Sequence, residues 1–354
     1  MDIKRVSTYT EFSNLEPVWN SLLAKAATNT VFLTHEWASS WWNAYGGKRE
    51  LSILVLNDGE AIRAIAPLMI TDYGIFRRLG FIGSNRPDYC DFIVDRDHLA
   101  GYEALLTYLF YGSTDWDEIM FESIPETSPL LTALGKSSSR LIIEKKVLNV
   151  CPYMRINDKS GELLGRIEKS QSLRRKINRL QRIGNLTFRH YTELTEMEKA
   201  LRNLLEGYLQ RFDARNVKHR LPQELSFHMQ LLHRMDRKDM IRFGALELDG
   251  RTIAQHFGFA YNGVYHWVRP AFDPSYSEHS PGVIMLYYLV DYALKNGFRE
   301  FDFLRGNEPF KTTIADHARQ VMIIKLYRNL PRCILCKAAA SANRLLQRWF
   351  FRQT

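Results

Sequence analysis

The sequence has no long hydrophobic run and few cysteines. It contains no stretch of 18 uncharged apolar residues, and the opening MDIKRVSTYTEF has no apolar segment of signal-peptide type. These absences argue against a membrane-spanning helix and a secretory signal, so a cytoplasmic protein is expected. The four cysteines are too few and too scattered for a disulfide framework, and the single CxxC spacing, from Cys333 to Cys336, has no second pair. No metal site is predicted.

Acidic residues are almost missing from two segments. Residues 166–190 contain eight Arg or Lys against one acid, Glu168, and residues 319–354 contain eight basic residues and no acid. The combined formal charge of these two segments is larger than the net charge of +9 of the whole chain, so the rest of the chain is mildly acidic. Such basic outgrowths favour a polyanionic ligand, nucleic acid or an anionic membrane surface, while two solvated basic helix faces are the plain structural alternative.

The predicted elements occur in the same order in both halves of the chain. Each half reads as a strand, two helices, three strands, a helix and a strand, and the turn Asp249-Gly250 takes the place that Asp58-Gly59 takes in the first half. A repeat of this length predicts two α/β domains of similar fold, each with a mixed sheet, rather than a solenoid. The predicted boundaries are a first domain at 1–160, a basic connecting helix at 161–184, a second domain at 185–330 and a basic amphipathic tail helix at 331–354.

The segment 271–311 carries the clearest helix signals. Ser280 predicts an N-cap, Pro281 suits the first helical position and Gly297 suits the left-handed residue after the end, so a helix is predicted at Pro281–Lys295. The unpaired amides and the positive dipole end at its start favour an anion such as a phosphate. The candidate cofactor-binding residues are Ser280, Gly282, Val283 and, after the next strand, Arg305.

The same segment carries a family resemblance. Ser280-Pro281-Gly282 before an apolar helix, then Asp302-Phe303 and the run RGNEPFK at 305–311, resemble the CelD/BcsL-type branch of the GNAT acyltransferases. The stretches DGEAIRAIAPLMI and DYCDFIV resemble the first domain of that branch. The resemblance implies tandem GNAT domains that move an acyl group, commonly acetyl, from acyl-coenzyme A to an amine or hydroxyl in exopolysaccharide or cell-envelope biosynthesis. The implied acceptor is a sugar, a lipid-linked saccharide or an amine.

One stretch departs from the family pattern. GNAT proteins typically place a glycine-rich run between the fourth strand and the following helix, whereas residues 276–282 contain a single glycine. Coenzyme A binding is therefore implied by the resemblance and by the helix start, and another acyl carrier stays open.

Four residues of the second half are candidates for catalysis. Acyl transfer needs a base for the nucleophile, donors for the developing oxyanion and an acid for the leaving thiolate. The candidates are Asp302, Glu308, Lys311 and His256. Each has a structural alternative: His256 could be hydrogen-bonded within the domain, and Asp302 could form an ion pair with Arg305 or Lys311.

The first half has no equivalent of the SPG and RGNEPFK motifs. We therefore expect that it has lost the donor site and that it shapes the acceptor site, with Arg86, Asp88, Tyr89 and Asp91 as candidate substrate contacts.

Two other functions fit parts of the sequence. A Fem-type transferase, a relative of tandem GNAT proteins that takes amino acids from aminoacyl-tRNA, would use the basic helix around 174–182 to hold tRNA phosphates. A non-catalytic subunit of an envelope polysaccharide assembly would use the basic tail as a peripheral anchor on an anionic membrane. DNA binding is disfavoured, because neither basic segment lies in a helix-turn-helix or a zinc finger.

Overall fold

The computed structural model describes residues 2–74, 76–83, 86–137, 142–157, 171–213, 217–328, 331 and 334. The elements of the first part are β1 (Asp2–Val6), α1 (Tyr9–Asn14), α2 (Glu16–Lys25), α3 (His35–Tyr45), β2 (Glu50–Leu51), β3 (Ile53–Asp58), β4 (Ala61–Ala66), β5 (Leu68–Asp72), β6 (Arg77–Phe81), β7 (Ile93–Val94), α4 (Ala100–Thr107), β8 (Glu118–Pro125), α5 (Pro129–Ser137) and β9 (Ile142–Arg155). The second part contains α6 (Gln171–Ile183), β10 (Leu186–His190), α7 (Leu194–Asp213), α8 (Val217–Asp236), β11 (Ile241–Leu248), β12 (Arg251–Tyr261), β13 (Val264–Phe272), α9 (Pro281–Lys295), β14 (Glu300–Asp302), α10 (Pro309–Ile314) and β15 (His317–Tyr327).

The chain divides into two compact units. The first contains the chain up to Trp42, Gly46–Asn149 and the segment that begins at Gln320, and the second contains Asn43–Tyr45 and Val150–Arg319. Of the predicted segments, residues 161–170 of the connecting helix and the tail helix beyond 331 and 334 lie outside the described residues, as does the CxxC pair. No helix in the described ranges is long and apolar enough to cross a membrane.

The first unit contains two sheets. Strands β1, β3, β4 and β7 form one in that order, and β8, β6, β5 and β2 lie side by side in the other, with β15 paired to β8. The sequence predicts one strand over 61–70, but the structure divides it at Pro67, so that β4 and β5 belong to different sheets. Proline cannot donate a ladder hydrogen bond, which makes it a natural place for a strand to change sheets.

The second unit is built on one mixed sheet. Its strand order is β10, β11, β12, β13, β14 and the C-terminal part of β9, with β13 and β14 parallel and the other pairs antiparallel. Helix α9 occupies the predicted range Pro281–Lys295 and buries Ile284, Leu286 and Leu289 in a core that also contains Leu246 and Phe301. The mixed α/β fold predicted from the sequence is confirmed.

Strand β9 is absent from the sequence-based prediction. Its sequence, IIEKKVLNVCPYMR, breaks apolar alternation with two lysines, an asparagine and a proline. The strand is stabilised instead by its pairing with β14, in which Met154 lies opposite Phe301 and Tyr153 opposite Asp302. This pairing fixes the position of β14.

Candidate functional site

Strands β13 and β14 begin as neighbours and then separate. Their parallel pairing covers Val264 with Glu300, Tyr265 with Phe301 and His266 with Asp302. Beyond that point the chain after β14 follows β9 instead, because Phe303 N donates to Pro152 O at 3.0 Å and Gly306 N to Val150 O at 3.1 Å. Strand β13 continues to Phe272. From Trp267 onward, no strand in the described part of the chain pairs with this edge of β13. We call the space between this edge and the segment after β14 the cleft; the unpaired backbone groups of β13 form one of its walls.

A β-bulge bends β13 where it enters the cleft. Phe259 lies opposite His266 and Phe257 opposite Arg269, so Trp267 and Val268 together face the single residue Gly258. A Cβ at Gly258 would collide with the His256 ring and with the His266 carbonyl oxygen, so only glycine fits.

His256 fills the space beside this bulge. Its ring is fully buried and stacks on Trp267 at a centroid distance of 4.5 Å. The Val268 amide donates to Nε2 at 3.2 Å, so the neutral ring carries its proton on Nδ1, which lies 3.4 Å from the Tyr265 hydroxyl. Burial lowers the pKa of His256 to about 3. This placement fits the structural alternative, in which His256 positions backbone and stays neutral.

The loop before α9 is ordered by Asp273. Its Oδ1 accepts hydrogen bonds from the Ser275 amide at 2.9 Å and the Ser275 hydroxyl at 2.6 Å, which starts a 3₁₀ turn over Pro274–His279. Ser280 follows with φ of 52° and ψ of 53°, and its side chain makes no capping hydrogen bond. The expectation that the Ser280 side chain caps the helix is therefore wrong, because Ser280 has a left-handed backbone instead of the extended conformation typical of a capping residue.

The start of α9 offers an accessible backbone surface. The Ser280 carbonyl accepts from the Val283 amide at 3.0 Å and the Ile284 amide at 3.4 Å. A Cβ at Gly282 would touch only Phe272, at 3.6 Å, and the Val283 side chain is exposed. Of the candidate cofactor-binding residues, Gly282 thus lies at the positive end of the helix dipole, where a Cβ would make an ordinary contact with Phe272 and no collision.

A basic helix lies against this loop. In α6, Leu173 and Leu180 are buried in the core shared with α9, and the helix also contacts the 274–279 turn. Arg174, Arg175 and Arg179 are exposed on the rest of its surface. Positive side chains and a helix N-terminus therefore occur side by side in the second unit, an arrangement that attracts phosphates.

Asp302 stabilises an unusual turn at the end of β14. Its side chain is buried, and its Oδ1 accepts the Leu304 amide at 2.8 Å. Leu304 has a φ of 58°, a conformation that is strained for a branched side chain and that needs such support.

The RGNEPFK run folds back on itself. Lys311 is buried, and its Nζ donates to the Arg305 carbonyl oxygen at 2.7 Å and to Glu308 Oε2 at 2.9 Å. Gly306 has a φ of 116°, and a Cβ there would collide with the Glu308 carboxylate. The Glu308 side chain is 52% exposed to solvent. The structure thus brings Asp302, Arg305, Glu308 and Lys311 together at the end of β14, where the cleft opens.

The candidate acceptor residues of the first unit divide into two pairs. Asp91 is fully buried, accepts the Phe92 amide at 2.8 Å and is bonded by the Thr28 hydroxyl, and burial raises its pKa to about 6. Tyr89 is buried against the Phe32 ring. Arg86 and Asp88 are half-buried. Asp91 and Tyr89 therefore belong to the interior of this unit, which argues against direct acceptor contact by either.

Sequence reasoning missed a pocket in the second unit. It has a volume of about 460 Å³ and lies between α7 and the adjoining ends of β12 and β13. Alternation along β12 predicts that Gln255 faces away from His256, but no sequence pattern indicates that α7 leaves space over that face.

The sequence of this region matches a known family. Residues 168–312 match the family model described as an acetyltransferase (GNAT) domain. This segment is therefore similar to GNAT acetyltransferase domains. It contains the cleft between β13 and β14, the start of α9 and the turn after β14, and the chain is accordingly an N-acetyltransferase-like enzyme. GNAT domains use an acyl-coenzyme A as co-substrate. No curated protein sequence matches the chain.

Solved structures share the fold at low sequence identity. FemX is 12% identical with a TM-score of 0.64, over 95% of this chain and 99% of its own. L-PGS from Bacillus licheniformis is 12% identical with a TM-score of 0.55, over 94% and 96%. A protein of unknown function from Bacteroides thetaiotaomicron VPI-5482 is 11% identical with a TM-score of 0.57, over 92% and 100%. The similarity therefore extends well beyond the matched GNAT domain.

Proposed function

We propose that this protein transfers an acyl group from acyl-coenzyme A to an amine or hydroxyl of a cell-envelope or exopolysaccharide acceptor. The observation that carries the proposal is the separation of β13 from β14, which leaves a backbone edge for the donor's amide-bearing arm. The amide surface at Gly282 and the basic side chains of α6 would hold the diphosphate.

The charged turn after β14 supplies the groups for chemistry. The acceptor nitrogen or oxygen attacks the thioester carbonyl and gives its proton to a general base; the C–S bond then breaks, and the leaving thiolate takes up a proton to become the free thiol. We assign the general base to Glu308, acting directly or through water, because it is the accessible carboxylate of this turn. Lys311 would orient Glu308, while Asp302 would hold the turn and His256 the bulge.

Donor binding can be tested by calorimetric titration with acetyl-coenzyme A. Gly282→Glu places a negative charge at the start of α9 and is expected to weaken binding at least about tenfold, since like charges repel at close range. Gly135→Glu is the control, because it makes the same change on a helix of the first unit where a side chain would meet open space. Equal affinity of both variants for acetyl-coenzyme A would contradict the donor site.

An aminoacyl-tRNA donor is the second candidate. It is favoured by the similarity to FemX along nearly the whole chain and by the exposed arginines of α6. Replacing Arg174, Arg175 and Arg179 with glutamine would then weaken tRNA binding and reduce its dependence on salt concentration. If acetyl-coenzyme A does not bind the parent protein while tRNA does, the acyl-coenzyme A proposal is replaced by this one.

A further inference from the structure

Helix α6 carries a positive charge that the described part of the chain does not balance. Its sequence, QSLRRKINRLQRI, has no acidic residue. It has five basic residues, which are Arg174, Arg175, Lys176, Arg179 and Arg182. Arg175 donates a hydrogen bond to Gln171 Oε1 at 3.3 Å, and neither Arg179 nor Arg182 forms an ion pair with a carboxylate in the described ranges. This charge is therefore available to an anionic partner.

Three of the arginines form a stripe on the outer face of α6. Leu173 and Leu180 are buried in the core, and Arg175 and Arg182 each follow one of them by two positions, which turns them about 200° away from the core. Arg179 lies between them at helical spacing, and all three side chains are exposed. The stripe is about 10 Å long, comparable with the Debye length at 0.1 M salt, so its charges act together.

Helix stability gives no reason for this stripe. Arg175 and Arg179 are four residues apart, and like charges at that spacing repel each other and destabilise a helix. A helix face that only meets water is served better by charges of both signs. The single sign of the charge on this face therefore indicates a partner of opposite charge.

The composition of α6 favours a lipid surface over RNA as that partner. Surfaces that bind single-stranded nucleic acid stack the bases on aromatic side chains, and α6 contains no aromatic residue. The helix ends instead on Ile183, which is 56% exposed and directly follows Arg182. An exposed aliphatic side chain beside cations fits the boundary between lipid headgroups and acyl chains.

A second basic segment of the sequence has a similar composition. Residues 319–354 contain eight basic residues and no acid, and the part of this segment outside the described residues includes Trp349, Phe350 and Phe351. Aromatic residues among cations are typical of segments that lie at a membrane surface.

We propose that the outer face of α6 docks on an anionic lipid surface through Arg175, Arg179 and Arg182. Their guanidinium groups bind the phosphate groups of the lipids, and Ile183 contacts the apolar region beneath them. Because α6 packs against α9 and the 274–279 turn, docking brings the start of α9 close to the lipid surface. One consequence rests on the acyltransferase function proposed above: the acceptor is a saccharide whose lipid carrier lies in that surface.

Sedimentation of the full chain with vesicles tests the docking. The probes are vesicles of phosphatidylcholine alone and vesicles of phosphatidylcholine with an equal part of phosphatidylglycerol, each at low and at high salt. We expect binding to the anionic vesicles only, and its loss at high salt, where exposed charges are screened. Replacing Arg175, Arg179 and Arg182 with glutamine should weaken binding about a hundredfold, since each basic residue near the surface strengthens attachment about fivefold.

A second triple variant separates the docking face from net charge. Lys48, Lys145 and Lys146 are exposed in the first unit, and replacing them with glutamine removes the same amount of charge. This variant should bind the anionic vesicles nearly as well as the parent does. Glutamine forms helices about as well as arginine, so urea unfolding should show that the α6 variant is folded.

Four results would overturn the docking surface. They are the absence of anionic-vesicle binding by the parent, an equal loss of binding in both triple variants, complete loss of binding when residues 331–354 alone are removed, and tRNA binding that depends on the three arginines and is tighter than vesicle binding at the same salt. Vesicle binding needs no acetyl-coenzyme A, so the two proposals fail separately. Docking without acetyl-coenzyme A binding contradicts the donor site alone, and the reverse contradicts the docking alone.

Discussion

Lys311 Nζ lies 2.9 Å from Glu308 Oε2, and its second hydrogen bond, at 2.7 Å, goes to the carbonyl oxygen of Arg305. A buried ammonium thus ties an exposed carboxylate to the backbone of the turn that leaves β14. The pair links the sequence motif to the chemistry, because the buried partner fixes the geometry and the exposed partner can reach a ligand.

Glu308→Gln should separate catalysis from folding. Glutamine can still accept a hydrogen bond from Lys311 but no longer balances its buried charge, so the free energy of unfolding should fall by about 1–3 kcal/mol while the protein stays folded. Loss of a general base should lower kcat by about 10² or more. Steady-state kinetics with acetyl-coenzyme A and urea unfolding check the two effects, and Glu278→Gln, another exposed carboxylate, is the control. An unchanged kcat would exclude Glu308 as the base.

Lys311→Met should act mainly on stability. The change removes two hydrogen bonds made by a buried ammonium, one of them to the part-buried Arg305 carbonyl oxygen, a loss of about 1–3 kcal/mol. Urea unfolding measures it. Wild-type stability in this variant would show that the turn does not depend on Lys311.

Gly258→Ala should disrupt the bulge in β13. The added methyl group would collide with the His256 ring and the His266 carbonyl oxygen, both of which are held in the core. We expect a loss of about 2–4 kcal/mol, in the range of severe core overpacking. Gly135→Ala, where a methyl group meets open space, should be neutral or stabilising in the same urea assay.

Acid should destabilise the protein through three histidines, of which His256 and His266 are buried and His190 is half-buried. Burial lowers the pKa of His256 and His266 to about 3 and that of His190 to about 4, against 6.5 when exposed. The unfolded chain therefore binds protons first as the pH falls below 6.5, and each histidine should remove about 1.3 kcal/mol between pH 7.5 and 5.5.

His190→Phe tests this pH dependence. His190 Nε2 has no hydrogen-bond partner in the described part of the chain, and its ring packs on Phe188 and Tyr292, so phenylalanine should fit. The loss of stability between pH 7.5 and 5.5, measured by urea unfolding, should shrink by about 1.3 kcal/mol relative to the parent. An unchanged loss would mean that His190 is protonated in the fold.

Asp91→Asn should stabilise the protein at neutral pH. Burial raises the pKa of Asp91 to about 6 from 3.8, so its ionised form costs about 3 kcal/mol above pH 6, and the cost disappears below 3.8. Asparagine keeps an oxygen for the Phe92 amide and carries no charge. Urea unfolding at pH 7.5 should show higher stability, with unchanged activity. A large loss of activity would instead restore Asp91 as an acceptor contact.

Local signals explain what could be predicted. Pro281 and Gly297 mark the two ends of α9, the turn Asp249-Gly250 joins β11 to β12, and RGNEPFK indicated a polar cluster after β14; the structure contains each of these. They are readable because capping, turn chemistry and strand alternation depend on residues only a few positions apart.

Long-range packing decided the rest. The sequence alone determined the mixed α/β fold class, the helix whose start faces a candidate phosphate site and the residue types of the turn after β14. Tertiary structure decided that His256 is sealed beneath a bulge, that Asp91 is internal, and that Gly207 and Gln255 share a pocket. The reason is physical: burial, pKa and open space depend on which distant residues cover a side chain, and no local pattern contains that information.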